Sequence, residues 1–255
     1  MEKNNVPSFD IDSDVLRCLT FVNLLRKEHG EKVSREIIKK KDHVLYNNFK
    51  YYSNFLDLII KGEIRIVIGD AIFQESKHSK SLVEFMKEYA YFPDINMVNY
   101  QTKSDEARQL AYTYCQPYTI NDVTHRAPMK FVFIADINKR VPTNDAFAMA
   151  QATVEGRCFI TGNGQDFIFN KSMLSDKFHN ARYKGIITIN FSKGYYTESE
   201  EGSYNVPKPI HINTFGAMIK NGANGIKVPE NPGKIVKADL LIEDNLVFDE
   251  DPITI

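Results

Sequence analysis

Apolar positions along the chain switch between a helical and a strand period, and the switches divide it into elements. Residues 7–11 (PSFDI) read as a short strand. Leu16, Leu19, Val22 and Leu25 then fall on one helical face, which predicts a helix over residues 14–28. Residues 31–43 are polar, and Lys39, Lys40 and Lys41 read as a solvated helix face. Leu45, Phe49, Tyr52, Leu56 and Ile59 predict a second amphipathic helix over residues 45–60, closed by Gly62. The aromatic residues from Phe49 to Phe55 are expected in the core rather than on a base-stacking platform. IRIVI, residues 64–68, is β-branched and apolar, as a buried strand is.

Further along, residues 71–90 read as a helix with Ile72, Phe73, Leu82, Phe85 and Met86 on one side. A short strand is expected over residues 95–100, and a helix over 104–115 with Ser104 as its N-cap. Residues 116–129 read as loop and 130–135 (KFVFIA) as a strand. Residues 144–155 form the clearest helix, with Thr143 or Asn144 to cap it and Gly156 to stop it, followed by the strand RCFIT at 157–161. Beyond residue 167 the pattern weakens. One strand (GIITIN, 185–190) and one helix-like stretch (214–223) stand among segments rich in Gly, Pro, Asn and Ser.

Strands alternating with helices over residues 7–170 predict a parallel sheet with helices on both faces. In such sheets ligands bind beyond the carboxyl ends of the strands, where the strand order reverses. Composition narrows the function only slightly. With 255 residues, 43% of them hydrophobic, the chain can bury a sizeable core. A net charge of -1 gives no global basic field, so any nucleic-acid contact must be a local patch. No run is long and apolar enough for a membrane span, and the first residues do not resemble a signal peptide. Cys18, Cys115 and Cys158 form no CxxC pair, which points to reduced thiols, a cytoplasmic protein and no zinc site.

Four places put acidic residues just after predicted strands: Asp12 with Asp14, Glu75, Asp145, and the segment from Thr161 through Asn163 to Asp166. Each acid alone has a plain structural role, as a turn residue, a surface residue or a partner of a helix dipole. Together they suggest one cleft. Converging carboxylates repel one another unless cations join them, and hard oxygen ligands select Mg²⁺ or Mn²⁺. Asp105 and Glu106 open a helix and read as dipole partners, whereas Asp136 could belong to the cleft or to a loop. Lys139, Arg140 and Arg157 are candidate phosphate contacts, along with Lys39, Lys40, Lys41, Arg126, Lys130 and Lys171.

The segment NDAFAMAQATVEGRCFITGNGQDF resembles the C-terminal signature of PIN-domain nucleases. Asp145-Ala146 open a helix of small residues, Phe159-Ile160-Thr161 form a strand ending in Thr, and Asn163 and Asp166-Phe167 follow. IRIVIGDAIFQE is similar to the family's strand, turn and helix carrying its second acid, here Glu75, and IDSDVL to its opening box. In that box Asp12 is the first acid, Ser13 keeps a hydroxyl and Asp14 takes an Asn position. The resemblance covers about residues 8–170. It departs from the family in a short first strand with Pro7 and Asp10, in Asn163 where an acid is usual, and in some 85 extra residues.

The resemblance implies a three-layer α/β/α sandwich with a central parallel sheet over residues 1–170 and a C-terminal extension, 171–255, packed on or beside it. It implies a metal-dependent endoribonuclease, similar to the toxins of bacterial toxin–antitoxin pairs but longer. Asp12, Glu75, Asp145 and Asp166 are then catalytic; these four and Asn163 hold Mg²⁺ or Mn²⁺; Ser13, Asp14 and Thr161 support them. RNA is the expected partner, with an antitoxin, another regulatory protein or a second copy of the chain as a protein partner. The acidic run from Glu243 to Asp251 reads either as a solvated tail or as a strip that limits which RNA enters, and on the second reading truncation after about Val236 should leave the core folded. Two other readings fit some of the same residues. One is a PIN-like scaffold that binds RNA or protein without cutting. The other is a haloacid-dehalogenase-like phosphatase using the Asp10-x-Asp12 box, which lacks the strong apolar strand that box needs.

Overall fold

The computed structural model describes residues 6–249 except 7, 42, 97–99, 121–122, 126, 128, 156, 162–187, 191–208, 212–233 and 244. Its central sheet holds seven strands. In chain order these are β1 (Ser8–Ile11), β2 (Arg65–Val67), β3 (Ala90–Pro93), β8 (Cys158–Thr161), β9 (Thr188–Asn190), β10 (Pro209–His211) and β11 (Ile235–Lys237). Across the sheet they run β10-β9-β8-β1-β2-β3-β11. Every neighbouring pair is parallel except β3 with β11. This is a mixed α/β protein with a mostly parallel central sheet and packed helices, compatible with an α/β/α sandwich.

The helices follow from the apolar stripes. α1 (Ser13–Lys41) and α2 (His43–Ile60) join β1 to β2 and pack on each other, with Leu16, Leu19, Phe49 and Phe55 among their buried residues. The stretch assigned to α1 breaks at Gly30, whose φ of 73° is open to glycine and strained for other residues. The strand β2 leads into α3 (Asp70–Ser76) and α4 (Lys80–Tyr89). One helix was expected over residues 71–90, but Ser79 starts a new one, its hydroxyl accepting from the Leu82 N–H. Beyond β3 come α5 (Tyr100–Tyr114) and α6 (Asn144–Val154), packed on each other. α1 packs against α2 and α4, and α6 against α5 and α3. Phe49, Tyr52 and Phe55 are buried, as their spacing suggested.

Four expectations along the chain change. The third strand is 90–93 rather than 95–100, and the helix after it starts earlier than residue 104. Residues expected as loop include a small hairpin of β4 (Tyr118–Ile120) and β5 (Val123–His125). Residues 130–135, expected in the alternating pattern of the sheet, form β6 (Phe131–Ile134) instead. Among the described residues this strand pairs only with β7 (Lys139–Pro142), in a hairpin outside the main sheet. A continuous apolar run cannot say which sheet it joins, and Asn138 in the left-handed region turns the chain back locally.

Part of the stretch 171–255 belongs to the same sheet, through β9, β10 and β11. Ala238 and Ile242 are buried in the common core behind β11. The helix-like stretch 214–223 lies outside the described residues. No helix among the described residues is long and apolar enough to cross a membrane.

Candidate active site

From β1 the chain builds outward to β2 and β3, then returns to lay β8 against the other side of β1. The strand order therefore reverses between β1 and β8, and a crevice is expected beyond their carboxyl ends. Asp12 and Thr161 stand there. The Asp12 N–H donates to the Ile160 carbonyl at 2.9 Å, and the Thr161 hydroxyl donates to Asp12 Oδ2 at 2.6 Å. The Ser13 hydroxyl reaches Asp12 Oδ1 at 3.3 Å. Asp12 is only 2% exposed. Burial pushes its carboxyl from 3.8 up to about 7, against the Thr161 hydrogen bond, with the charges of Asp145 and Asp14 raising it further.

Asp145 lies in the first turn of α6, close enough to act on Asp12 electrostatically. Thr143 occupies the N-cap without a side-chain capping bond. Glu75, on α3, accepts from Asn144 Nδ2 at 2.8 Å, which ties it to the residue before Asp145. Ser13, Thr161 and the charge of Asp145 thus bear directly on Asp12, whereas Glu75 is joined to this region only through Asn144. Asp14 is exposed and 3.7 Å from Arg17. Asn163 and Asp166 lie outside the described residues, in the segment leaving Thr161.

A second set of charges lies beneath this crevice, and sequence reasoning missed its use. Asp10 is 3% exposed and Arg157 fully buried. Arg157 Nε bonds Asp10 Oδ2, and its Nη2 reaches Oδ1 at 3.4 Å. Arg157 Nη1 faces Glu155 Oε2 at 3.6 Å without a hydrogen bond, and Lys103 Nζ meets the same oxygen at 2.9 Å. Lys103, Glu155, Arg157 and Asp10 thus alternate in sign from α5 to β1. Burial raises the Asp10 carboxyl even though Arg157 opposes it. Arg157, expected as a phosphate contact, is instead held inside against Asp10 and Glu155. The available signal was Asp10 itself, a charge inside an otherwise buried strand, which needs a partner.

The two aspartates differ in their surroundings. Asp10 faces an arginine, whereas the charges that act on Asp12 are acidic. Lys139 and Arg140 are exposed on β7. A cleft of about 230 Å³ opens beside the site between α3, α5 and α6, with Asn144, Phe147, Gln151 and Lys103 in its wall; Asp12 and Asp145 do not line it. Gln151 Oε1 accepts from the Asp70 N–H at 3.2 Å and lies against Gly69, where a Cβ would collide with it. The Asp70–Gln151 bond thus joins the start of α3 to α6. Comparison of the chain with protein-family models, with curated proteins and with solved structures gave no match in any of the three.

Proposed function

We propose that this chain is a PIN-like, divalent-metal-dependent nuclease that hydrolyses phosphodiester bonds of RNA at the Asp12–Asp145 crevice. One observation carries the reading: a buried aspartate at the strand-order reversal feels the charges of two further acids, Asp145 and Asp14. Such an arrangement is unfavourable for the protein alone and becomes favourable with a cation. The donors suit a hard ion, being carboxylates and hydroxyls without thiol or imidazole. Among the described residues no group of three or more acidic, His or Cys side chains could hold a metal ion. Two carboxylates suffice for Mg²⁺, which otherwise keeps waters and phosphate oxygens. Asp12 and Asp145 would hold it, with Glu75 near the rim and Asn163 and Asp166 as further donors carried by the resemblance.

When bound, the ion would supply charge stabilisation on the phosphoryl oxygens and a more acidic water. The chain's own residues have separate tasks. Thr161 and Ser13 donate to Asp12 and fix its carboxylate plane. Asn144 orients Glu75. The neutral chain of Lys103, Glu155, Arg157 and Asp10 holds α5, α6, β8 and β1 in register beneath the crevice.

The test is incubation of purified protein with single-stranded and hairpin RNA, with Mg²⁺ or Mn²⁺ and with EDTA, beside Asp12→Asn and Asp145→Asn. Cleavage that needs the metal and both aspartates is expected. Cleavage unaffected by EDTA would overturn the metal mechanism, and no cleavage by the native chain under any condition would overturn the activity.

A further inference from the structure

The hairpin of β6 and β7 leaves large apolar side chains in solvent. Val132, Phe133, Ile134 and Ile137 are 46%, 57%, 38% and 54% exposed. A free two-stranded hairpin is marginal in water, and a cluster of exposed apolar groups on one marks a contact surface. Pairing sets which groups share a face. Phe133 stands opposite Arg140, and Ile134 opposite Lys139. Phe131, two residues before Phe133, lies on the same face, about 7 Å along the strand. Its ring meets Tyr112 of α5 with centroids 6.0 Å apart, and Tyr112 is 41% exposed. Tyr112, Phe131 and Phe133 thus form an aromatic strip with a guanidinium beside its outer end.

Charge selects the occupant. The hairpin and its base carry Lys130, Lys139 and Arg140 against Asp136. Among the described residues neither Lys139 nor Arg140 has an ion pair. The core of a protein–protein contact is depleted of charges, whereas a surface for single strands combines aromatic rings with cations. A duplex hides the faces of its bases and would leave the rings uncovered.

Position completes the argument. The Thr143 N–H donates to the Lys130 carbonyl at 3.1 Å, so the base of the hairpin is fastened to the start of α6, which carries Asp145. Four-residue strands reach about 13 Å from that base. We propose that the β6–β7 hairpin is an arm for single-stranded nucleic acid. Phe133 and Tyr112 stack on bases, and Arg140 and Lys139 contact phosphates. This rests on the crevice being the reaction centre only for its purpose; the binding itself does not need the metal.

The test is polarisation of a dye-labelled oligouridine against the full chain in EDTA, over a salt series. Phe133→Ala should weaken binding about tenfold or more with little change in salt dependence. The pair Lys139→Gln/Arg140→Gln should weaken it and lower the salt slope by about 1.4. Phe133→Tyr should bind like the native chain, which separates stacking from a folding defect. Native affinity in both the Ala and the double Gln variants would overturn the proposal. So would equal affinity for duplex RNA, or a self-association that Phe133→Ala abolishes while RNA binding persists. Oligouridine bound through the arm but never cleaved would refute the nuclease reading and leave the arm standing. Cleavage with arm variants that bind normally would do the reverse.

Discussion

Replacing Asp12 by Asn should change the pH dependence of stability in a calculable way. In the metal-free protein the Asp12 carboxyl is raised from 3.8 to about 7, chiefly by burial. The folded state therefore holds this proton more tightly than the unfolded chain does. Its contribution is fully present below pH 3.8 and is lost as pH rises toward about 7. That rise corresponds to about 4 kcal/mol. Asn carries no titrating group, so the variant escapes the loss. It has its own cost, because the Thr161 hydroxyl at 2.6 Å and the Ser13 hydroxyl at 3.3 Å both point at what would be an amide. Turning one hydroxyl to accept from the amide costs about 1 kcal/mol. Asp12→Asn should then be about 1 kcal/mol less stable than the native chain near pH 4 and about 3 kcal/mol more stable near pH 8. Urea unfolding of both proteins in EDTA at pH steps from 4 to 8 measures the difference, in which titrations common to both cancel. A difference that stays constant over that range would refute the burial argument. Adding Mg²⁺ at pH 8 should stabilise the native chain and leave the variant unmoved, by linkage.

Asp145→Asn should abolish cleavage while the fold persists, since Asn is tolerated at a helix start. It should also lower the pH at which Asp12 loses its proton, because the Asp145 charge is among those that raise it. Full activity in that variant, read by RNA cleavage, would reduce Asp145 to a helix-start residue. Arg157→Met should destabilise by about 3–5 kcal/mol, because it strips Asp10 and Glu155 of their buried cation. Adding Asp10→Asn should recover part of that loss, and unchanged urea midpoints in both variants would refute the lock. Removal of residues 235–255 deletes β11 and takes Ala238 and Ile242 from the core, the Ile242 side chain alone being worth about 2–4 kcal/mol. The shortened chain is expected to lose cooperative unfolding and to aggregate through the bared β3 edge. A folded, monomeric product by gel filtration and urea titration would restore the view of this segment as a gate alone.

Local pattern determined much of this protein. The apolar periodicity of residues 14–28 and 45–60, the β-branched run at 64–68 and the small residues after Asp145 each specify one element, because a buried stripe or a continuous apolar run has few ways to be satisfied. Strand–helix alternation also placed Asp12 and Thr161 at strand ends, where a parallel sheet puts its crevice, whereas the strand expected to lead to Asp145 turned out to lie in a separate hairpin. Only the tertiary structure decided which of these meet. The reversal of strand order between β1 and β8 brings Thr161 to Asp12 across 149 positions of sequence, and the same pairing delivers Arg157 to Asp10 across 147. Long-range pairing likewise turned β11 into the edge of the sheet and kept β6 out of it, although FVFI and RIV look alike as strings. Sequence records how much apolar surface a segment must hide; which neighbour hides it, and which charge is left facing another charge, is settled when distant segments compete for the same sheet.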